Sequence, residues 1–217
     1  MHWHALDGPI KKTPLATERD RSDVVEKRTK FTDDIQPALD PSKLIFIDES
    51  GFRLGAHPRY GWAPIGEDAP GKAPHAWTHM NIIGAMALDG FRSVISIDAA
   101  TSGEVFREFV RHELVPNLKS GEIVVMDNLS SHQDAIAIQL IRDAGADVLF
   151  LPPYSPEYNP IEKAWAKLKD LLRKQLTRTR DTFEKALASA IDAISCDNIL
   201  SWTLHAGYLN HVRTDAV

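Results

Sequence analysis

The sequence predicts an α/β fold in which a mixed five-stranded sheet is flanked by helices. Continuous apolar runs at residues 44–48 and 123–127 are typical of strands that are buried on both faces. Residues 81–88 and 91–98 are separated by an Asp-Gly pair, which is a strong signal for a two-residue hairpin. After this hairpin, segments with apolar residues at helical spacing alternate with short apolar runs. This alternation indicates helices that pack on a largely buried sheet.

The composition is that of an ordinary globular protein, and it excludes several function classes. The chain has 217 residues, of which 43% are hydrophobic and 25% charged, which is enough for one α/β domain with an appendage. No apolar run approaches the roughly 18–20 residues of a membrane span, and the N-terminus lacks the features of a signal peptide. Cys196 is the only cysteine, so the sequence predicts neither disulfides nor a thiolate zinc site. We therefore expect a cytoplasmic protein without a membrane partner.

The chain divides into a charged N-terminal segment and one folded domain. Residues 1–40 are rich in charge and poor in apolar positions, so we expect a linker or an exposed helix there. The domain is predicted over residues 41–210. Within it, residues 50–72 are rich in glycine and proline and are predicted to form a long hairpin excursion. Trp62 in this excursion and Trp77 after it either stack on bases or pack in the core.

Further helices and strands follow the hairpin. Ser102 is expected to cap a helix over residues 102–118. Ser131 and Asp134 are expected to open the next helix, which ends at Gly145. The remaining predicted elements are a short strand at 148–151 and helices at 160–175, 182–194 and 199–209. The order β-β-β-α-β-α-β-α is that of a ribonuclease-H-like fold.

The usual strand order of that fold, 3-2-1-4-5, decides between two acids that both end apolar strands. Asp98 would lie two strands from Asp48, roughly 10 Å away at about 4.8 Å per strand, whereas Asp127 would lie one strand away. Carboxylates that bridge metal ions need the shorter separation. Asp127 is therefore the preferred partner of Asp48. This strand order comes from analogy with the fold and not from the sequence pattern.

Three carboxylates lie at the ends of segments that would hold them in place. Asp48 and Asp127 each end an apolar strand, and Glu162 lies in the first turn of a helix. A buried carboxylate is costly unless it is paired or bound to metal. Each acid also has a structural explanation: Asp48 could start a turn, and Glu162 could complete a helix cap with Asn159. Glu49 points to the opposite face by strand alternation and is the weaker candidate. Converging acids of this kind predict metal-dependent phosphodiester chemistry on nucleic acid.

Basic residues follow the third acid, although the formal net charge of the chain is −5. A strip of cations on the predicted helix and just beyond it either contacts phosphates or forms a solvated helix face. Its members are Lys163, Lys167, Lys169, Arg173, Lys174, Arg178 and Arg180. Of these, Lys163, Lys167, Lys174 and Arg178 are expected to share one helix face and to contact phosphates. Asn128 and His132 could each contact DNA or the metal shell, but a helix cap for Asn128 and a surface position for His132 are the preferred interpretations. The apolar stripe Trp165, Leu168, Leu172 and Leu176 is predicted to be core.

The motifs around the three acids resemble the catalytic domain of DDE transposases, over roughly residues 40–210. More narrowly, they are similar to the bacterial insertion-sequence branch of the mariner superfamily. Residues 128–161, 34 in all, separate the second acid from the third, and this interval names one branch of that superfamily. The segments that carry the resemblance are Ile47-Asp48-Glu49-Ser50-Gly51, Met126-Asp127-Asn128, Leu151-Pro152-Pro153-Tyr154-Ser155-Pro156 and Asn159-Pro160-Ile161-Glu162-Lys163-Ala164-Trp165.

The resemblance implies that Asp48, Asp127 and Glu162 bind two Mg²⁺ or Mn²⁺ ions and catalyse DNA cleavage and strand transfer. It implies DNA as the partner, both transposon ends and a target such as TA, with a homodimer on DNA in the bacterial nucleoid. Full-length members carry helix-turn-helix modules, and none is visible before residue 40, so a separate subunit or reading frame would supply one. Two alternatives stay open: a ribonuclease-H-like nuclease, or a non-catalytic remnant that dimerises with an intact transposase.

Overall fold

The computed structural model describes residues 16–54, 64–67, 79–175 and 177–209. The strands are β1 (Leu44–Arg53), β2 (His79–Ala87), β3 (Gly90–Ile97), β4 (Ile123–Met126) and β5 (Asp147–Phe150). The α-helices are α1 (Ser22–Lys30), α2 (Gly103–Phe109), α3 (Ala135–Asp143), α4 (Ile161–Gln175), α5 (Arg180–Asp192) and α6 (Cys196–His205). None of these helices is long and apolar enough to cross a membrane.

The five strands form one mixed sheet in the order β3-β2-β1-β4-β5, which confirms the predicted arrangement. β1 pairs antiparallel with β2 and parallel with β4, so it is the central strand. It extends to Arg53, five residues beyond its predicted end at Asp48, because its second half pairs with the start of β2. The excursion predicted from residue 50 therefore begins later. Trp62 and Trp77 lie outside the described residues.

Alternating side chains of β1 divide the interior into two hydrophobic layers. Leu44 and Phe46 pack in the layer that contains α4, α5 and α6, whereas Ile45 and Ile47 pack in the layer that contains α2 and α3. The predicted core stripe of α4 is confirmed for Trp165, Leu168 and Leu172, which are at most 5% exposed, while Leu176 lies outside the described residues. The site discussed below therefore sits on a central strand that is covered on both faces.

The N-terminal segment packs against the domain. α1 is mostly exposed, but Val24 is 2% exposed and Phe31, just after the helix, is 1% exposed. Phe31 belongs to the same hydrophobic layer as α4 and stacks on Tyr158 with 5.2 Å between ring centroids. The segment is thus not the wholly exposed linker that its charge predicted, because two apolar side chains anchor it. The domain boundary at residue 40 stays a prediction.

The capping residues locate the helix starts. Ser102 caps α2 as predicted, since its hydroxyl accepts a hydrogen bond from the Val105 N–H. The prediction that Ser131 opens the next helix is wrong: Asp134 is the cap of α3 and accepts from the Ala137 N–H at 2.8 Å. The helix stops before Gly145, as predicted, and this glycine adopts a φ of +83°. The later start of α3 leaves residues 127–133 as a turn beside the sheet.

Candidate active site

Asp48, Asp127 and Glu162 line one cavity of about 450 Å³. The turn after β4 and a proline-rich loop, residues 151–159, form the rest of its wall. Asp98, the alternative second acid, does not line it; the side chain of Asp98 is 68% exposed and lies 3.7 Å from Arg180. The structure therefore brings the three predicted acids together and leaves the competing acid outside. That the three act in catalysis stays a prediction.

The register of β1 against β4 explains why the two aspartates are neighbours. Leu44 pairs with Ile123 and Phe46 with Val125 in a parallel ladder. The same offset, continued past the end of β4, places residue 127 beside residue 48. Adjacent strands lie about 4.8 Å apart. β3, which precedes Asp98, is separated from β1 by β2, so the sheet topology alone favours Asp127.

Asp48 is held by a buried tryptophan of α4. The Nε1–H of Trp165 donates a hydrogen bond to Oδ2 of Asp48 at 3.0 Å. Burial, together with the nearby charge of Glu162, raises the pKa of Asp48 from 3.8 to about 7. Gly84 pairs with Asp48 across β1 and β2, and a Cβ at Gly84 would lie 2.6 Å from Cη2 of Trp165. The glycine is therefore what allows the indole to reach the acid.

Asn159 links the start of α4 to the end of β1. Its side-chain amide donates to the carbonyl oxygen of Ile47 at 3.1 Å, so the predicted role of its side chain as a helix cap for Glu162 is wrong. The Glu162 N–H instead bonds to the backbone carbonyl of Asn159. The amide oxygen of Asn159 is buried and has no hydrogen-bond partner among the described residues. An unpartnered polar atom beside the acids is consistent with a site that takes a ligand.

Glu162 is exposed, its carboxylate makes no hydrogen bond among the described residues, and it lines the cavity with the other two acids. Burial raises its pKa, the nearby Lys169 opposes that shift, and the charge of Asp127 adds to it. Lys169 lies on α4 with its ammonium group 5.5 Å from the ring centre of Phe52. Lys169 is the cation that most lowers the pKa of Glu162, although it is not one of the four predicted phosphate contacts of the basic strip.

His132 was predicted to be at the surface, and this is wrong. Its side chain is completely buried, and it joins two acids. Nδ1 lies 2.7 Å from Oδ1 of Asp127, and Nε2 lies 3.2 Å from Oε1 of Glu49. Burial alone would lower the pKa of His132, but the two carboxylates outweigh it and raise the pKa to about 9. Burial would raise the pKa of Asp127, and hydrogen bonds from His132 and the Leu129 N–H hold it below its ordinary value.

The proline-rich loop is fixed from the N-terminal side by Arg28. This guanidinium donates to the Tyr154 carbonyl at 3.3 Å, to the Ser155 hydroxyl, and to Glu157 at 2.5 Å. It also lies over the ring of Tyr158, 5.0 Å from its centre. Tyr154 adopts a φ of +55°, which is unfavourable for a residue with a Cβ. A helix outside the predicted domain therefore supports the loop that precedes Glu162.

The predicted DNA contacts are not all alike. Lys163 and Lys174 are exposed on α4, but Lys167 is half-buried and donates to the side chain of Asn198 on α6. Arg178 lies beyond the end of α4, so it does not share a helix face with the lysines as predicted. Asn128 caps no helix; its amide donates to the carbonyl of Leu151 at 2.5 Å, and the residue lines the cavity. All five DNA contacts stay predictions.

The donor set of the cavity fits a hard divalent cation. Within the described ranges, no three His, Cys, Asp or Glu side chains stand close enough together to hold one ion as placed. The three acids therefore line the cavity walls and do not meet at a point. Carboxylates and an amide oxygen are nonetheless the ligands that Mg²⁺ and Mn²⁺ prefer. Burial raises the pKa of Asp48 and of Glu162, and a neighbouring carboxylate adds to each shift; a bound cation would favour the ionised form of both acids.

The chain resembles one family and a group of solved structures. A family model described as DDE superfamily endonuclease matches residues 43–184. The Mos1 transposase paired-end complex with left transposon end gives a TM-score of 0.78 at 13% identity, covering 94% of this chain and 65% of that one. The mariner Mos1 paired-end complex with Mg has a TM-score of 0.74 at 14% identity, and the match covers 93% of this chain and 66% of that one. The catalytic domain of Mos1 mariner transposase has a TM-score of 0.61 at 12% identity, and the match covers 89% of this chain and 93% of that one.

These matches define the fold and the family. The chain spans about two thirds of the Mos1 chain in the complexes and nearly all of the Mos1 catalytic-domain chain. At this low identity the likeness shows the fold alone, and it confirms the predicted ribonuclease-H-like architecture. No curated protein sequence matches the chain. Because the family model covers well over half of its residues, the chain belongs to the DDE superfamily of endonucleases.

Proposed function

We propose that this chain is the catalytic domain of a DNA transposase that cleaves a DNA strand and joins the 3′ end to target DNA. The observation that carries the proposal is the convergence of Asp48, Asp127 and Glu162 on one cavity in a member of the DDE superfamily. The motifs further support a place in the bacterial insertion-sequence branch of the mariner superfamily. We also propose that it acts in the bacterial cytoplasm, on nucleoid DNA.

The three acids would hold the divalent ions, two Mg²⁺ or Mn²⁺. When bound, such ions stabilise charge on the phosphate under attack and make the attacking hydroxyl more acidic. The part played by the protein is to place the acids: Trp165 donates a hydrogen bond to Asp48, and the first turn of α4 carries Glu162. Complexes of Mos1 have been solved with Mn and with Mg, which supports this use of metal.

DNA would approach across the open side of the cavity. Lys163 follows Glu162 directly and Lys174 lies three turns further along α4, so exposed cations extend away from the acids. We propose phosphate contacts for Lys163, Lys167, Lys174, Arg178 and Asn128. Mos1 has been solved with a transposon end, which supports DNA as the partner. A homodimer on DNA and a separate helix-turn-helix subunit or reading frame complete the proposal.

One assay tests this function. The full chain is incubated with a precleaved transposon-end oligonucleotide, a supercoiled plasmid and Mn²⁺, alongside Glu162→Gln. Glu104→Gln is the matched control, because Glu104 is an exposed acid in the first turn of α2 and lies outside the cavity. We expect strand transfer by the wild type and by Glu104→Gln, and none by Glu162→Gln.

Other outcomes select the alternatives. Metal-dependent nicking without joining would favour a ribonuclease-H-like nuclease, because both reactions use the same acids but only transposition consumes a 3′-hydroxyl. Strand transfer that survives in Glu162→Gln would show that Glu162 is not the third catalytic acid. If the wild type neither nicks nor joins DNA, even with a DNA-binding subunit supplied, both enzyme hypotheses fail and the non-catalytic remnant is the hypothesis that is left.

A further inference from the structure

We infer that His132 is a positioning residue for Asp127, and that Glu49 holds His132 in place from the opposite face of β1. The pair would fix one oxygen of Asp127 toward the protein and leave the other for a divalent ion. The inference rests on the proposed function, because it concerns how one of its three acids binds metal.

The geometry around the ring restricts it to one orientation. Both ring nitrogens lie within hydrogen-bond distance of a carboxylate oxygen, 2.7 Å for Asp127 and 3.2 Å for Glu49. A carboxylate oxygen at each ring nitrogen fixes the plane of the imidazole from both sides. The ring of Phe106 packs beside it at 4.6 Å between centroids, and the histidine side chain is fully buried. His132 therefore cannot turn without breaking both bonds.

Asp127 needs such support because no strand holds it. β4 ends at Met126, and the side chain of Asp127 is 44% exposed. Its Oδ1 accepts from His132 and from the Leu129 N–H at 3.1 Å, whereas no hydrogen bond reaches its Oδ2 among the described residues. A carboxylate fixed through one oxygen offers the other to a ligand without losing further rotational freedom. Hydrogen-bonded supports of this kind typically change metal affinity by about 10–100-fold.

Among the described residues, the side chain of Glu49 hydrogen-bonds only to His132, and this favours a role through His132. Strand alternation directs it away from Asp48, toward the layer of α2 and α3, and it does not line the cavity. Without Glu49 the buried Nε2 of His132 would lose its hydrogen-bond partner, which is unfavourable for a buried polar atom. Two successive acids of β1 thus have different roles: Asp48 lines the cavity, and Glu49 holds His132, which positions Asp127.

The test measures Mn²⁺ binding by the full chain directly, by titration calorimetry and by the EPR signal of free Mn²⁺, at neutral pH. His132→Leu removes both hydrogen bonds, and we expect Mn²⁺ binding about 10–100-fold weaker. His132→Asn keeps a side-chain N–H where Nδ1 lies, and we expect it to restore most of the affinity. Glu49→Gln still accepts from Nε2, and we expect only a small loss. Ile141→Val, in the same hydrophobic layer but away from the acids, controls for a loosened core.

The outcomes separate this inference from the proposed function. If the wild type binds no Mn²⁺, the proposed function and this inference both fail. If the wild type binds Mn²⁺ and His132→Leu binds it equally well, only the inference fails. Urea unfolding measures how much each substitution lowers the stability of the fold. Equal losses of affinity in His132→Leu, His132→Asn and Ile141→Val would mean that His132 acts only through packing, and would overturn the positioning role.

Discussion

The indole Nε1–H of Trp165 donates a hydrogen bond to Oδ2 of Asp48 at 3.0 Å, which links the hydrophobic core directly to the candidate site. Trp165 is 1% exposed, and a buried indole N–H needs an acceptor. Asp48 is that acceptor, and it lies on the central strand and lines the cavity that the three acids share. One hydrogen bond therefore supports the packing of α4 and the orientation of the acid.

Replacing Trp165 with phenylalanine should weaken both stability and activity. Trp165→Phe keeps an aromatic ring but removes the donor, so the ionised form of Asp48 loses its hydrogen bond. We expect the free energy of unfolding in urea to fall by about 1–3 kcal/mol. We also expect a roughly tenfold loss of Mn²⁺-dependent nicking, because a misplaced acid that raises the activation free energy by about 1.4 kcal/mol slows the reaction tenfold. Phe91→Leu is the control, because Phe91 packs on Trp165 without touching Asp48. Equal losses of activity in both variants would contradict a role for the hydrogen bond.

Gly84 should tolerate no side chain while Trp165 is present. An alanine Cβ there would lie 2.6 Å from Cη2 and 3.2 Å from Cζ2 of a rigid, buried ring, so we expect Gly84→Ala to destabilise the chain by about 1–3 kcal/mol. Phenylalanine lacks both atoms. In a double-mutant cycle with Trp165→Phe, the cost of Gly84→Ala should therefore fall sharply. Gly51→Ala, whose Cβ would meet only Asn81 Oδ1 at 3.3 Å, is the control. Additive effects would rule out the clash.

The sequence was most informative where local chemistry is sufficient. The apolar runs, the Asp-Gly turn and Ser102 as a cap all predicted elements that the structure has. The strand order came from fold analogy, and it brought Asp48 and Asp127 together correctly. These features depend on hydrophobic periodicity and on short-range hydrogen bonds, both of which can be read along the chain.

The parts that could not be predicted depend on contacts between distant residues. His132 is a polar residue in a polar turn, and only the fold shows that Glu49, 83 residues away, is its partner. Asn159 fits the pattern of a helix cap, but its side chain instead bonds to Ile47, 112 residues away. Trp165 was correctly predicted as core, and its need for an acceptor was a signal that could have pointed to Asp48. Buried polar groups choose partners that sequence spacing does not reveal.

The stability of the metal-free protein should depend on pH through Asp48. Its pKa is about 7 when folded, against 3.8 for an ordinary aspartate. Between these values the folded state binds more protons than the unfolded state, so stability falls as pH rises and the loss is complete above about pH 7. In Asp48→Asn this contribution is absent. We expect the variant to gain roughly 1–3 kcal/mol over the wild type between pH 4 and pH 8, measured by urea unfolding in EDTA.

Controls isolate this effect from the other acids that face Asp48. Glu162, Asp127 and Glu49 all raise its pKa, but they are present in both proteins, so their own titration largely cancels in the difference. Asp98→Asn, an exposed acid, should show no such trend. Mn²⁺ should stabilise the wild type at pH 8 and not Asp48→Asn. A stability difference that stays constant from pH 4 to pH 8 would show that the pKa of Asp48 is not raised in solution.

Arg28 should affect the site although it lies in the N-terminal segment. Arg28→Ala removes the donors that hold Tyr154, Ser155 and Glu157, so we expect a loss of about 1–3 kcal/mol of stability and slower metal-dependent nicking. Arg28→Lys should rescue little, because one ammonium group cannot reproduce the planar set of hydrogen bonds. Arg21→Ala, which removes an exposed pair with Asp23, should change stability by less than about 0.5 kcal/mol. If Arg28→Ala nicks DNA like the wild type, the loop that precedes Glu162 holds its shape without the hydrogen bonds of Arg28.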